Sequence, residues 1–261
     1  MILTAVVTVL ACATSASGSA PGVPRLAHVV VVVFENKERS TVLSSGDALH
    51  FAAYAKAFVD LTQYYAVAHP SLPNYLALVS GSTHGIRDDC TACGGWKTSI
   101  GTLLSNAGRR WGGYAEGYPS SLQFAKRHIP FLYFQGGAAH VHPLSAFHPE
   151  RLPAYALVAP NLCNDAHDCS LTTADDFLAN FLPPLLRQPK TAVFVVFDEG
   201  TTDTNGGGHV EAFVVGTAVR RHVSSPQYAT HYTLLRTIED ALGLRHLGTS
   251  ASVAPLTGIW R

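Results

Sequence analysis

Two runs of β-branched and aromatic residues, His28-Val29-Val30-Val31-Val32-Val33-Phe34 and Thr191-Ala192-Val193-Phe194-Val195-Val196-Phe197, constrain this chain more than any other feature. Neither alternates apolar with polar residues, so each predicts a strand buried on both faces, as in parallel sheets covered by helices. Further strand candidates at 111–115, 154–158 and 210–215 alternate with helical stretches at 48–58, 72–79, 100–107, 174–185 and 230–242. Thr173 followed by Asp176 resembles a helix start, and Gly243 sits where a helix stop belongs. The expected fold class is α/β: a three-layer α/β/α sandwich with a mostly parallel central sheet.

Composition narrows the partners. The 261 residues carry 18 Lys+Arg against 18 Asp+Glu, and zero formal charge argues against a nucleic-acid or anionic-membrane binder, since both need a clustered basic surplus. With 47% hydrophobic residues the chain is not a disordered one. Residues 2–13 form a nearly unbroken apolar run, too short to span a bilayer, and small residues follow at 14–20. This is the pattern of a signal peptide at 1–20, without the usual basic residue ahead of it, and it places the protein outside the cytoplasm. Cys12 after Val9-Leu10-Ala11 loosely imitates a lipoprotein cleavage site, and no other stretch has the ~18 apolar residues of a membrane span. The remaining cysteines, Cys90, Cys93, Cys163 and Cys169, read as two disulfides in an oxidising compartment. Three connectivities are open to them, and a zinc site competes at Cys90-x-x-Cys93.

The strands end in chemistry. Glu35-Asn36 follows the first, Asn161 with Asp165 and His167 follows another, and Asp198-Glu199-Gly200 follows a third. In open α/β sheets, ligands sit at the carboxyl ends of strands, so these side chains can share a crevice. Any one of them serves equally well as a helix cap or turn residue; three together favour a site. Carboxylates, an amide oxygen and imidazoles are donors that divalent zinc, manganese, magnesium or calcium accept. His209 begins a strand after Gly206-Gly207-Gly208, which also suits a surface histidine. In His69-Pro70-Ser71-Leu72-Pro73-Asn74-Tyr75, Ser71 looks like an N-cap, but a helix amino end also binds phosphate and favours an alkoxide. Asn74 lies one turn on, in reach of a phosphoryl oxygen.

These blocks, taken in order from about Leu26 to Leu247, resemble the phosphoesterase family, which includes bacterial phospholipases C and acid phosphatases and belongs to the alkaline-phosphatase superfamily. The resemblance implies a single phosphoesterase catalytic domain at 21–261. It implies Ser71 as nucleophile with a phosphoseryl intermediate, Asn74 on phosphate, and His69 beside the nucleophile or at the helix start. It implies Glu35, Asn36, Asp198 and Glu199 at one metal position. Asp165, His167 and His209 follow at a second, or as groups that bind phosphate and protonate the leaving oxygen. One or two divalent metals are therefore expected and no nucleotide cofactor, since neither glycine-rich nucleotide motif is present.

The expected activity is a secreted metal-dependent phosphomonoesterase acting on a small phosphate ester. A phospholipase C or phosphodiesterase on the same site, and a non-catalytic phosphate-binding protein, are the alternatives. Gly81-Ser82-Thr83-His84-Gly85 imitates a serine-hydrolase elbow, with threonine at its centre and no strand leading in.

Overall fold

The computed structural model describes residues 22–261. In chain order its elements are β1 (His28–Phe34), α1 (Arg39–Ser44), α2 (Leu49–Ala57), β2 (Val59–Leu61), β3 (Tyr64–Tyr65), α3 (Ser71–Ser80), α4 (Ile100–Asn106) and β4 (Trp111–Ala115). They continue with β5 (Val141–Pro143), β6 (Tyr155–Ala159), α5 (Leu171–Phe181), β7 (Thr191–Phe197), β8 (Ala212–Val215), β9 (Val223–Ser225), β10 (Ala229–Thr230) and α6 (His231–Leu242). Eight strands form one sheet in the order β5-β4-β6-β1-β7-β8-β2-β9. It is mostly parallel, with β8 running against both β7 and β2. The two valine-rich runs are neighbours at its centre, Val31 lying between Leu157 of β6 and Phe194 of β7.

Helices α2 and α5 pack together on one face, and α3 packs with α4 and α6 on the other. Every residue of β7, and of β1 beyond His28, is buried, which is why neither run alternates. Phe51 of α2 meets Phe34 edge-on at 4.8 Å and Phe197 at 5.5 Å, sealing the layer over the carboxyl ends of both strands. Each such ring contributes roughly 1.5–3 kcal/mol by burial.

The predicted elements form with shifted bounds. Helix α5 begins at Leu171 because Ser170, not Thr173, is its N-cap, accepting the Thr173 N–H at 3.2 Å, and it gives out before Pro183-Pro184. The stop at Gly243 is a left-handed C-cap, φ 66°. Both disulfides are local, Cys90–Cys93 and Cys163–Cys169. Among the described residues no helix is long and apolar enough to cross a membrane. The apolar run, the cleavage region and Cys12 lie outside the described residues.

Glu239, fully buried in α6, ties the carboxyl-terminal segment down. Its Oε1 accepts the Leu247 N–H at 2.9 Å and its Oε2 accepts from Ser250 Oγ at 2.6 Å. Burial pushes its pKa up to about 8 against the lowering effect of these donors, whereas an unfolded glutamate titrates near about 4.3. Between those values the folded chain holds a proton that the unfolded chain has released. The stabilisation is therefore full at low pH and is lost as pH rises through about 8. The unfolding free energy of the chelated protein should fall from about pH 5 to pH 9, by up to about 4 kcal/mol from this group at about 1.4 kcal/mol per pH unit below its folded pKa, and Glu239→Gln should flatten that share of the slope. An unchanged slope in the variant would assign the titration elsewhere.

Candidate active site

The three central strands β6, β1 and β7 deliver their carboxyl ends to one crevice. Glu35 follows β1, and its N–H donates to the Asp165 carbonyl at 2.9 Å, while the Asp198 N–H donates to the Phe34 carbonyl at 2.8 Å. Asn36 takes a left-handed conformation, φ 57°, which turns its N–H onto Asp198 Oδ1 at 3.1 Å. Beneath Asp198, buried His231 donates from Nε2 to the Asp198 carbonyl at 2.6 Å and accepts from the Tyr64 hydroxyl at Nδ1.

Ser71 faces these carboxylates. It is the first residue of α3, whose N-cap is Pro70 without a side-chain cap bond, so Ser71 is not the N-cap its sequence position suggested. Its Oγ donates to Glu35 Oε2 at 3.1 Å and lies 3.5 Å from Glu199 Oε1. Glu199 is clamped in turn by His69, Nδ1 to Oε2 at 2.7 Å, and the other nitrogen of His69 meets the Thr202 carbonyl at 2.9 Å.

Glu35 is the hinge between two groups. Its Oε2 serves Ser71 and the Asn36 amide, while its Oε1 accepts from Tyr75 and lies 3.2 Å from His128 Nε2. His128 Nδ1 is 3.1 Å from Asp165 Oδ2, and its ring stacks parallel on Tyr75 at 5.2 Å. Glu35, His128 and Asp165, all buried, offer ligand atoms within 4.8 Å of one another, the one such group of three among the described residues.

Electrostatics show what this arrangement can hold. Burial and the neighbouring Asp198 and Asp165 hold the Glu35 carboxyl well above the usual range. Burial pushes Asp165 up to about 7, and burial with Glu199 pushes Asp198 up to about 8. Burial, then Arg127 and His167, holds His128 well below its ordinary pKa and so neutral, as a ligand must be. Asp198 Oδ2 is buried without a hydrogen-bond partner. Three crowded buried carboxylates, an orphaned oxygen and a neutral imidazole form a donor set whose charge a divalent cation satisfies.

Three expected members sit differently. The Asn74 amide is spent on backbone: Oδ1 accepts from Val67 and Ala68 N–H at 3.0 and 3.1 Å, and Nδ2 donates to Ala68 and Pro70 carbonyls. It is fully buried and clamps the turn ahead of Ser71 rather than facing substrate. His209 stacks on Tyr65 at 4.7 Å with Nε2 on the Thr62 carbonyl, outside the Glu35–His128–Asp165 group. His167 sits at the mouth, its N–H on Asp165 Oδ1 and its ring between Asp168 and Arg127. Arg127 also pairs with Asp89 at 3.4 Å, and Asp89 Oδ1 accepts the Leu72 N–H, immediately after Ser71, at 2.9 Å.

His128, Arg127 and Asp89 are absent from the sequence expectations. They lie in irregular connections, the first two in the 3-10 turn Lys126–His128, where no strand or helix period points at a crevice. Burial of a lone histidine is the one signal that marks His128, and burial is not visible in sequence.

The phosphoesterase family model matches residues 40–245. The chain belongs to the phosphoesterase family. It is 32% identical over 258 residues to the phosphatidylinositol-3-phosphatase of Mycobacterium tuberculosis, an alignment covering 93% of this chain and 85% of that protein. It is 30% identical over 224 residues to the phosphate-repressible acid phosphatase of Penicillium chrysogenum, covering 74% of this chain and 54% of the fungal one. The phosphoesterase thus spans about half the length of its fungal relatives. In fold it is similar to an alkaline-phosphatase-superfamily protein of Vibrio parahaemolyticus, with TM-score 0.66, 12% identity, and 93% of this chain and 72% of that one covered. Murine ectonucleotide pyrophosphatase/phosphodiesterase 5 gives TM-score 0.56 at 13% identity, with 87% of this chain and 98% of that one covered. This phosphoesterase is a hydrolase acting on phosphoric ester bonds.

Proposed function

We propose that this phosphoesterase is an exported, divalent-metal-dependent phosphomonoesterase with Ser71 as its nucleophile. The observation that carries the reading is Ser71 Oγ, at the amino end of α3, donating into the Glu35 carboxylate beside Glu199 and Asp198. Glu35, Asn36, Asp198 and Glu199 would hold one cation next to the hydroxyl. Glu35, His128 and Asp165 would hold a second, with His128 in the place sequence reasoning gave to His209. A bound divalent cation supplies Lewis acidity, lowering the hydroxyl pKa and offsetting charge on phosphoryl oxygens.

The chain's own residues do the rest. Ser71 Oγ attacks phosphorus as the bond to the leaving alkoxide breaks, and water then hydrolyses the phosphoserine. Arg127 and the Leu72 N–H, both engaged by Asp89, are placed to take phosphoryl oxygens in its stead. Burial disfavours the His69 imidazolium, but the Thr202 carbonyl and Glu199 outweigh it and raise its pKa, so His69 can hold a proton for the leaving oxygen. The paired cysteines and the apolar run at 2–13 support export. The phosphatase names of both relatives favour monoesters over the diester alternative.

Hydrolysis of an aryl phosphate and an aryl phosphocholine diester, before and after chelation, tests this reading. Monoester turnover should dominate, fall at least about a hundredfold on chelation and return with a divalent salt. Turnover that survives removal of metal would overturn the metal role. Preference for the diester would move the protein to the phospholipase class, and silence on both with metal restored would leave a binding protein.

A further inference from the structure

Zero net charge hides a separation that the fold creates. Strands β4, β6, β1 and β7 are adjacent and parallel, so their amino ends share one edge of the molecule. The residues leading into them are cationic: Arg109 and Arg110 before β4, Arg151 before β6, Arg25 before β1, and Arg187 and Lys190 before β7. The opposite edge collects the catalytic carboxylates. At the basic edge Arg25, Arg187, Lys190 and Arg261 line a concavity of about 520 Å³ together with Thr217 and Pro189. All four are exposed. The acids near this edge are already engaged, Glu150 beside Arg151 and Asp240 shared by Arg236 and His246. Among the described residues no carboxylate pairs with Arg187 or Lys190.

Gathering like charges costs free energy unless an anion meets them. We propose that this amino-end face docks on the anionic headgroups of a lipid bilayer, with Arg25, Arg187, Lys190 and Arg261 in contact. A bilayer fits better than a soluble polyanion because of where the chain enters. Pro24, Arg25 and Leu26 line the concavity, and the apolar run ends at residue 13, nine residues before the first described residue. Nine residues reach at most about 30 Å. While that run is in a membrane, the length of the intervening chain keeps the basic face within that reach of it. The docking also orients the enzyme. The parallel strands point from this face to the crevice, and the seven residues of β1 alone span about 23 Å, so the site opens away from the bilayer, toward soluble or projecting esters.

Mature protein mixed with phosphatidylcholine vesicles, with and without about 30% phosphatidylglycerol, tests the surface. Binding should require the anionic lipid and weaken with salt. It should drop at least about tenfold in the double variant Arg187→Glu, Lys190→Glu, which leaves turnover of a soluble aryl phosphate unchanged. Arg187→Lys should bind like the native protein. Equal binding of the reversed variant, or none to anionic vesicles at low salt, would overturn the proposal. So would capture by soluble polyphosphate without vesicle binding, which assigns the face to a free polyanion. Vesicle binding is read without catalysis, so failure of the phosphatase reading leaves this result intact.

Discussion

Ser71→Ala should lower kcat for an aryl phosphate monoester by at least about a thousandfold while the fold and the bound cation persist. Alanine keeps the first turn of α3, because Pro70 rather than Ser71 caps it and the helix already buries every one of its residues. The variant loses one hydroxyl between two carboxylates, and the carboxylate donors for the cation remain. Acid quenching during turnover, followed by mass analysis, should find a phosphoryl group on the Ser71 peptide of the native protein and none in the variant. Residual turnover within about tenfold of native would remove the nucleophile assignment, whereas loss of the cation along with activity would make Ser71 chiefly a ligand.

How much of this was legible in the sequence follows from period and burial. The valine-rich runs at 28–34 and 191–197 announce a doubly covered sheet, and the chemistry at their ends, Glu35-Asn36 and Asp198-Glu199, converges because both strands are central and parallel. Ser71 was legible from its apolar helix, although its hydroxyl turned out to face the carboxylates instead of capping. Asn74 and His209 carry the right atoms but are diverted, Asn74 into the 67–70 backbone and His209 onto Thr62 and Tyr65. A residue type states what a side chain can bind, and only packing states what it does bind. His128 shows the converse: a histidine in an irregular turn gains its place from stacking on Tyr75 beneath Glu35. Charge was legible as a sum and illegible as a distribution, since parallel topology brings one group of cations to the amino ends of the strands and the site carboxylates to their carboxyl ends.

Asp198→Asn should separate function from stability with opposite signs. The amide keeps an oxygen for the Asn36 N–H, so the left-handed turn at Asn36 survives. It removes the ionisable group that burial and Glu199 press up to a pKa of about 8, and with it the buried Oδ2 that has no partner and whose charge a cation would favour. Cation affinity should fall at least about a hundredfold and monoester turnover at least about a thousandfold. The chelated variant, by contrast, should be at least as stable as the chelated native protein at neutral pH, by up to about 1 kcal/mol, because an amide needs no proton to be buried beside Glu35 and Glu199, whereas the carboxyl must take one up on folding. A new buried amide donor opposes that gain, which bounds it. If the chelated variant were strongly destabilised, Asp198 would be a structural residue of the β7 end and its effect on turnover indirect. If metal and activity both survived, the cation would have to be held by Glu35, His128 and Asp165 without it.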